Sequence, residues 1–432
     1  MFCTIFLCLG LCAGAYAEPT AKLVKRHSAG TVHSSTRTAH ASPKRASATA
    51  KKTRARTATK KGHVRTAAKK TQSKSRSTAA TKVSAHRRKR GGRTVLAVRR
   101  TRHVERFTMS SYADNLTLGD VTAGEDPLVR AAAIEALGNM NGTAVAIDPD
   151  NGRILAMVNQ KLALSSGAEP CSTIKLTVAL AALEEGIIRK DTPVNLGKGY
   201  KVDLTYALAK SINPYFEVLG RTLGFERVKH YANQFGLGEL AGYHIQGEQL
   251  GVYPDHELPA KLGGVGRMCS FGESISMTPL QLGAIVSAIA NGGTLYYLQH
   301  PETPEEVASF TPKVKRTLNI APILPEIIPG MAGAVGSPYG TARSLRASFN
   351  EFPVMGKTGT CSNDGTRFGW FASYANTPSG RIVTVFFLEG GRPTFGPKAA
   401  ELTGQFYRAL WDNRYFSPKT QPDVETGSLG GN

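Results

Sequence analysis

Hydrophobic and polar positions repeat with a structural period only in the part of the chain after residue 107. Thr143 to Ile147 is apolar and strand-like, Asp148-Pro149-Asp150-Asn151-Gly152 is a dense turn cluster, and Arg153 to Val158 returns as a second strand. Residues 143–158 therefore predict a β-hairpin. Pro170-Cys171-Ser172 opens a stretch with apolar residues at helical spacing that runs through Leu183 and stops at Glu184-Glu185-Gly186. A second helical stretch covers Leu204 to Leu219, interrupted at Asn213-Pro214. Thr278 to Asn291 predicts an amphipathic helix with Pro279 at its start and Gly292-Gly293 after its end. Three strands follow at Pro353–Thr360, Arg367–Tyr374 and Arg381–Leu388, the last carrying the β-branched run Ile382-Val383-Thr384-Val385. A strand pair, then helices, then three strands predicts an α+β or three-layer fold, with one antiparallel sheet assembled from both ends of the folded part.

Charge divides the chain at the same place. Of its 54 Lys and Arg, 27 lie between residues 21 and 106, where the one acid is Glu105, so the net charge of +22 belongs to that segment. The segment is rich in Ala, Thr and Ser and nearly free of large apolar residues. It cannot bury enough surface to offset the entropy of ordering, and residues 18–107 are expected to form a disordered basic tether. Residues 108–415 are long enough for a substantial core. Residues 416–432, with Gly, Ser and Pro, read as a disordered tail. Met1 to Ala17 is an uncharged apolar run closing on Ala15-Tyr16-Ala17, which predicts a signal peptide, with an uncleaved membrane anchor as the alternative. Both place the folded part in the periplasm or cell envelope. Cys3, Cys8 and Cys12 fall in that run, and Cys171, Cys269 and Cys361 remain. In an exported chain three cysteines suit one bridge and one free thiol. In the folded part there is no Gly-rich phosphate loop and no pair of Cys or His with zinc-ligand spacing, so no metal or cofactor is expected.

Three short motifs carry the candidate chemistry. Ser172-Thr173-Ile174-Lys175 sits at a helix start, where positions i and i+3 share a face and set Lys175 beside the Ser172 hydroxyl. A lysine neutralised by burial can take a serine proton. Found alone, the pattern is better explained by a capping serine next to an exposed lysine. Lys357-Thr358-Gly359-Thr360 lies on a strand and offers a cation, hydroxyls and close backbone access, which suit a carboxylate-bearing substrate along the strand edge. Its bland alternative is an edge lysine that discourages aggregation. Ser211-Ile212-Asn213 has a second copy, Ser348-Phe349-Asn350. Ser211 is preferred because it follows a helical stretch and lies between the other two motifs, and Ser348 is taken as coincidence.

The order S-x-x-K, S-x-N, K-T-G resembles the penicillin-binding protein and serine β-lactamase superfamily. Over residues 140 to 395 the surrounding text is similar to the penicillin-binding transpeptidase domain. The similar stretches include Val145-Ala146-Ile147-Asp148-Pro149, Ala207-Leu208-Ala209-Lys210-Ser211-Ile212-Asn213-Pro214, Thr278-Pro279-Leu280-Gln281-Leu282, Gly340-Thr341-Ala342 and Trp370-Phe371. The resemblance implies a five-stranded antiparallel sheet flanked by helices on both faces. It implies a serine D,D-transpeptidase that cross-links peptidoglycan stem peptides and is trapped by β-lactams. Ser172 would be the nucleophile, Lys175 its base and Ser211 the proton relay to the leaving amine. Asn213 would hold a substrate carbonyl, and Lys357, Thr358, Gly359 and Thr360 would bind the terminal carboxylate. The backbone N–H groups of Ser172 and Thr360 would form the oxyanion hole. Carbapenem-hydrolysing β-lactamases of class A bond a cysteine pair at similar positions, which implies a Cys171–Cys361 disulfide with Cys269 free. The family usually places Gly where this chain has Cys171, and residues 108–140 have no room for a full pedestal domain, so the chain resembles a pared-down member.

Rival readings remain at this level. A D,D-carboxypeptidase, a β-lactam sensor or a β-lactamase shares the motifs. Class A β-lactamases deacylate with a Glu in an E-x-x-L-N loop, and neither Glu239 nor Glu248 is followed by that pattern. A reading of another class makes the chain a non-catalytic binder of the cell envelope through its polybasic segment. Anionic envelope polymers or membrane surface rank above nucleic acid as its partner, since the segment lacks interleaved aromatics.

Overall fold

The computed structural model describes residues 85–86, 97–98 and 106–417. The expected leader, nearly all of the basic tether and residues 418–432 lie outside the described residues.

The predicted hairpin is present as β1 (Gly142–Asp148) and β2 (Arg153–Val158), joined through the 148–152 turn. The three C-terminal strands are β3 (Val354–Asn363), β4 (Thr366–Thr377) and β5 (Gly380–Gly390), each longer than its apolar pattern suggests. They form one antiparallel five-stranded sheet in the order β2-β1-β5-β4-β3. The strand with the K-T-G motif is thus an edge strand, with one row of backbone groups not committed to the sheet.

Strand alternation sends successive residues to two separate cores. On the front face Val145, Ile147, Trp370, Ala372, Val383, Val385 and Phe387 share one core with six helices, of which the last lies directly on the sheet. These are α2 (Lys175–Glu184), α3 (Leu204–Ala209), α4 (Asn213–Leu223), α5 (Phe225–Gln234), α6 (Gly264–Phe271) and α7 (Pro279–Asn291). On the back face Ala144, Ala146, Phe371, Ala375, Phe386 and Leu388 pack against α1 (Pro127–Leu137) and α9 (Gly396–Asp412). A further helix, α8 (Leu324–Gly336), packs against both α3 and β3. The fold is the expected α+β sheet with helices on both faces.

Three local readings change. The serine helix opens as a 3-10 turn, Cys171–Ile174, and becomes α-helical at Lys175. The stretch from Leu204 is interrupted as expected, but the break falls at residues 210–212, and Asn213-Pro214 opens a second helix that runs on to Leu223. Phe416, assigned by sequence to the tail, is 3% exposed in the back core, so the folded part extends past residue 415. Among the described residues no helix is long and apolar enough to cross a membrane.

Candidate active site

The site is assembled from three separate pieces of chain: the turn before α2, the break between α3 and α4, and the edge strand β3. A 3-10 turn has three residues per turn, so Ser172 and Lys175 are eclipsed on one face. Lys175 Nζ lies 3.0 Å from Ser172 Oγ.

The break between α3 and α4 follows from how α3 ends. Ile212 N–H donates to Ala207 O at 2.8 Å and Ser211 N–H to Leu208 O at 3.2 Å, the paired bonds of a Schellman motif. That motif needs a left-handed residue, and Ser211 fills the place with φ +58 where glycine is usual. The tight reversal brings Ser211 to Lys175. Lys175 Nζ is 3.0 Å from Ser211 Oγ, 2.9 Å from Ser211 O and 2.5 Å from Asn213 Oδ1.

The edge strand supplies the third piece. Lys357 Nζ donates to Ser211 Oγ at 2.8 Å and to Thr358 O at 2.8 Å. The Ser211 hydroxyl therefore bridges two lysines, both 0% exposed. Burial, and then the charge of Lys357, push the Lys175 ammonium well below its ordinary basicity, while Glu217 acts weakly the other way. Burial pushes Lys357 down to about 7. Each lysine is thus disposed to lose its proton.

Alternation along β3 turns Lys357, Gly359 and Cys361 toward the serine turn. A Cβ on Gly359 would stand 2.9 Å from Pro170 O and 3.1 Å from Thr173 Cγ2, so only glycine lets strand and turn approach this closely. Cys361 is disulfide-bonded to Cys171, with Cα atoms 5.5 Å apart, and Cys269 is a buried free thiol. Cys171 has φ +52, a left-handed conformation that favours glycine. Thr358 and Thr360 point the other way. Thr358 Oγ1 donates to Thr341 Oγ1 at 2.7 Å, and Thr360 Oγ1 accepts from Gly396 N–H at 2.8 Å where α9 begins.

The structure thus gathers Ser172, Lys175, Ser211, Asn213 and Lys357 into one hydrogen-bonded cluster and sets Gly359 against it, with Thr358 and Thr360 on the neighbouring side of the strand. Ser348 and Asn350 take no part: Ser348 O accepts from Arg408 Nε and Asn350 Oδ1 from Arg346 Nε. Glu239 is paired with Lys315 and Arg316, and Glu248 accepts the N–H groups of Ala241 and Gly242. Sequence reasoning missed two contributors. Thr341 holds the Thr358 hydroxyl; it stood within the similar stretch Gly340-Thr341-Ala342 but carried no assigned role. Glu217, one turn into α4, had no motif to mark it.

The chain is similar to several named bacterial proteins. It is 32% identical over 317 residues to stage V sporulation protein D of Bacillus subtilis, covering 61% of this chain and 48% of that one. Against the peptidoglycan D,D-transpeptidase FtsI of Escherichia coli it is 22% identical over 343 residues, or 70% of this chain and 54% of the relative. Against the peptidoglycan D,D-transpeptidase MrdA of Haemophilus influenzae it is 23% identical over 355 residues, or 62% and 53%. The chain spans about half the length of the curated relatives it matches. Residues 142–408, which hold the sheet and every residue of the cluster, match the penicillin binding protein transpeptidase domain, and the chain belongs to that family.

Proposed function

We propose that the chain is a serine D,D-transpeptidase that cross-links peptidoglycan stem peptides through an acyl-enzyme on Ser172. One observation carries this reading: a fully buried Lys175 amine 3.0 Å from the Ser172 hydroxyl, with Ser211 bridging it to Lys357. The names of its relatives support it.

Lys175, neutral in its buried setting, takes the Ser172 proton as Oγ attacks the carbonyl of the penultimate D-Ala. The backbone N–H groups of Ser172 and Thr360 receive the developing oxyanion. The C–N bond breaks, and Ser211, in contact with both lysines, passes a proton to the departing D-Ala amine. Asn213 gives its oxygen to Lys175 and keeps its N–H groups for a substrate carbonyl. The arriving terminal carboxylate favours the protonated form of Lys357, which then supplies positive charge for it, with the Thr358 and Thr360 hydroxyls on the neighbouring side of the strand. An amine from a second stem peptide then attacks the ester and releases Ser172.

The carboxylates of Glu239 and Glu248 are both occupied, which supports a transferase with slow hydrolysis over a β-lactamase. The apolar leader and basic segment support action in the cell envelope, with the segment acting as a tether near anionic polymers. The test is intact-mass measurement of the full chain after exposure to benzylpenicillin. A lasting single adduct is expected, mapped to Ser172 and absent from Ser172→Ala. An unmodified chain that also leaves the drug intact would overturn the reading.

A further inference from the structure

On the Ser211 side of the site, two segments distant in the chain present a shared surface. Helix α3 carries Tyr206, and Lys210 lies between its last residue and Ser211. The loop and short turn after α8 carry Tyr339 and Arg343. The Tyr206 and Tyr339 rings meet with centroids 4.8 Å apart, and Lys210 Nζ donates to the Tyr206 hydroxyl at 2.9 Å. Arg343 Nη1 donates to Pro338 O at 3.2 Å. Both cations are exposed, and neither has a carboxylate partner among the described residues. Tyr339 is 42% exposed. Its loop is tied to the site at two points. Thr341 N–H donates to Ala209 O at 3.2 Å, and the Thr341 hydroxyl accepts from Thr358 Oγ1 at 2.7 Å. The patch is therefore held beside both Ser211 and Thr358.

The reaction says what must pass over this surface. Release of the acyl group by an amine is acylation run backwards with a different amine. The new C–N bond forms, the C–O bond of the Ser172 ester breaks, and the proton of the amine returns to Ser172 Oγ. The incoming nitrogen then stands where the D-Ala nitrogen stood, by Ser211. The rest of the acceptor extends on the side by which D-Ala left, past Thr358. A tyrosine pair flanked by two cations without acidic partners suits a peptide that carries carboxylates.

We propose that Tyr206, Lys210, Tyr339 and Arg343 form the docking surface for the acceptor stem peptide, and that the two cations select an acceptor bearing carboxylates. Tyr339 packs along the acceptor chain, and Lys210 and Arg343 meet its negative charges. The inference rests on the D,D-transpeptidase reading above.

The test is the partition of the acyl-enzyme between transfer and hydrolysis, a ratio set only after acylation. The full chain is acylated with the thioester N-benzoyl-D-alanyl-thioglycolate. The acceptor probes are N-acetyl-L-Ala-γ-D-Glu-diaminopimelyl-D-Ala and the same peptide amidated at D-Glu and D-Ala, which leaves the attacking amine unchanged. The charged peptide should give a transfer-to-hydrolysis ratio roughly 3–10-fold above the amidated one, the size expected of two exposed ion pairs. Added salt should shrink that preference. Lys210→Gln together with Arg343→Gln should bring the two peptides level, and Tyr339→Ala should lower transfer to both. In each variant the rate of benzylpenicillin labelling should be unchanged. Equal transfer to the two peptides by the unsubstituted chain would overturn the docking surface. So would a preference that survives the double substitution, or a labelling rate that falls along with transfer. Labelling of the unsubstituted chain separates the two claims: an adduct without acceptor preference removes the docking surface alone, and no adduct removes the transpeptidase reading beneath it.

Discussion

The two faces of the sheet are built from the same strands, residue by residue in alternation, yet they use burial for opposite ends. On the back face Phe371, Phe386 and Leu388 meet Phe406 and Tyr407 of α9. The polar pair Ser373 and Thr384 bond each other there at 2.8 Å. On the front face two lysines are sealed from water, and two non-glycine residues, Cys171 and Ser211, hold left-handed backbone. The back face is packing that stabilises. The front face keeps groups that cost stability, and the surrounding structure holds them in place. Burial on one side holds the fold together, and on the other it sets the basicity of the two lysines.

The sharpest way to break that contrast is Lys175→Met, which keeps the length of the side chain and removes its amine. The rate of benzylpenicillin acylation should fall about 10²–10⁴-fold, the usual worth of a positioned base. The thermal midpoint should hold or rise, because a buried cation is replaced by an apolar chain. A large drop in the midpoint would make Lys175 a structural residue and erase the distinction between faces. The mirror experiment is Phe406→Ala in the back core. It should cost about 3–5 kcal/mol in urea unfolding, as large-to-small changes in a packed core do. The acylation rate of the folded fraction should be unchanged, and a slowed rate would show that the faces are not separable.

The smallest effect is a dependence on pH. Lys357 binds its proton less tightly when folded, at about 7 against an ordinary 10.5. Below pH 7 both states hold the proton, so the cost of burying the charge is felt in full. As pH rises above 7 the folded state releases it while the unfolded state keeps it, so stability increases with pH. The urea midpoint should therefore climb between pH 7 and 8.5. Lys357→Met should flatten that climb without removing it, since Lys175 is shifted in the same direction. An unchanged slope in the variant would mean that Lys357 is not buried as a cation.

The same contrast explains what could be read in the sequence. The hairpin, the serine helix, the 278–291 helix and the three late strands announced themselves through turn clusters and through apolar residues at a clear period. The long α9 did not. Its start, Phe395-Gly396-Pro397, reads as a turn, and its buried side mixes Ala399, Ala400 and Thr403 with Phe406, Tyr407 and Leu410. Helix α1 has a similarly small-sided face of Ala132, Ala133 and Ala136. In the site, Ser172, Lys175 and Lys357 were legible because each combines a chemical group with a local element. The left-handed turn at Ser211 was not, since serine carries no signal for that conformation and the bonds that fix it come from α3. The splitting of Lys357 from Thr358 and Thr360 onto different sides of β3 was implicit in strand alternation. Which neighbour each hydroxyl meets, Thr341 or Gly396, depends on segments distant in the chain.

The Ser211 bridge has a consequence for the timing of activity. Lys175 reaches a partner 36 residues away and Lys357 one 146 residues away. Until the last strands have docked, Lys357 lacks its bond to Ser211, and its amine keeps the basicity of an ordinary surface lysine. A nascent or partly assembled chain therefore lacks the full set of groups around Ser172. Reactivity arrives with the final long-range contacts, so a fluorescent penicillin would count completed molecules and pass over the unfinished ones.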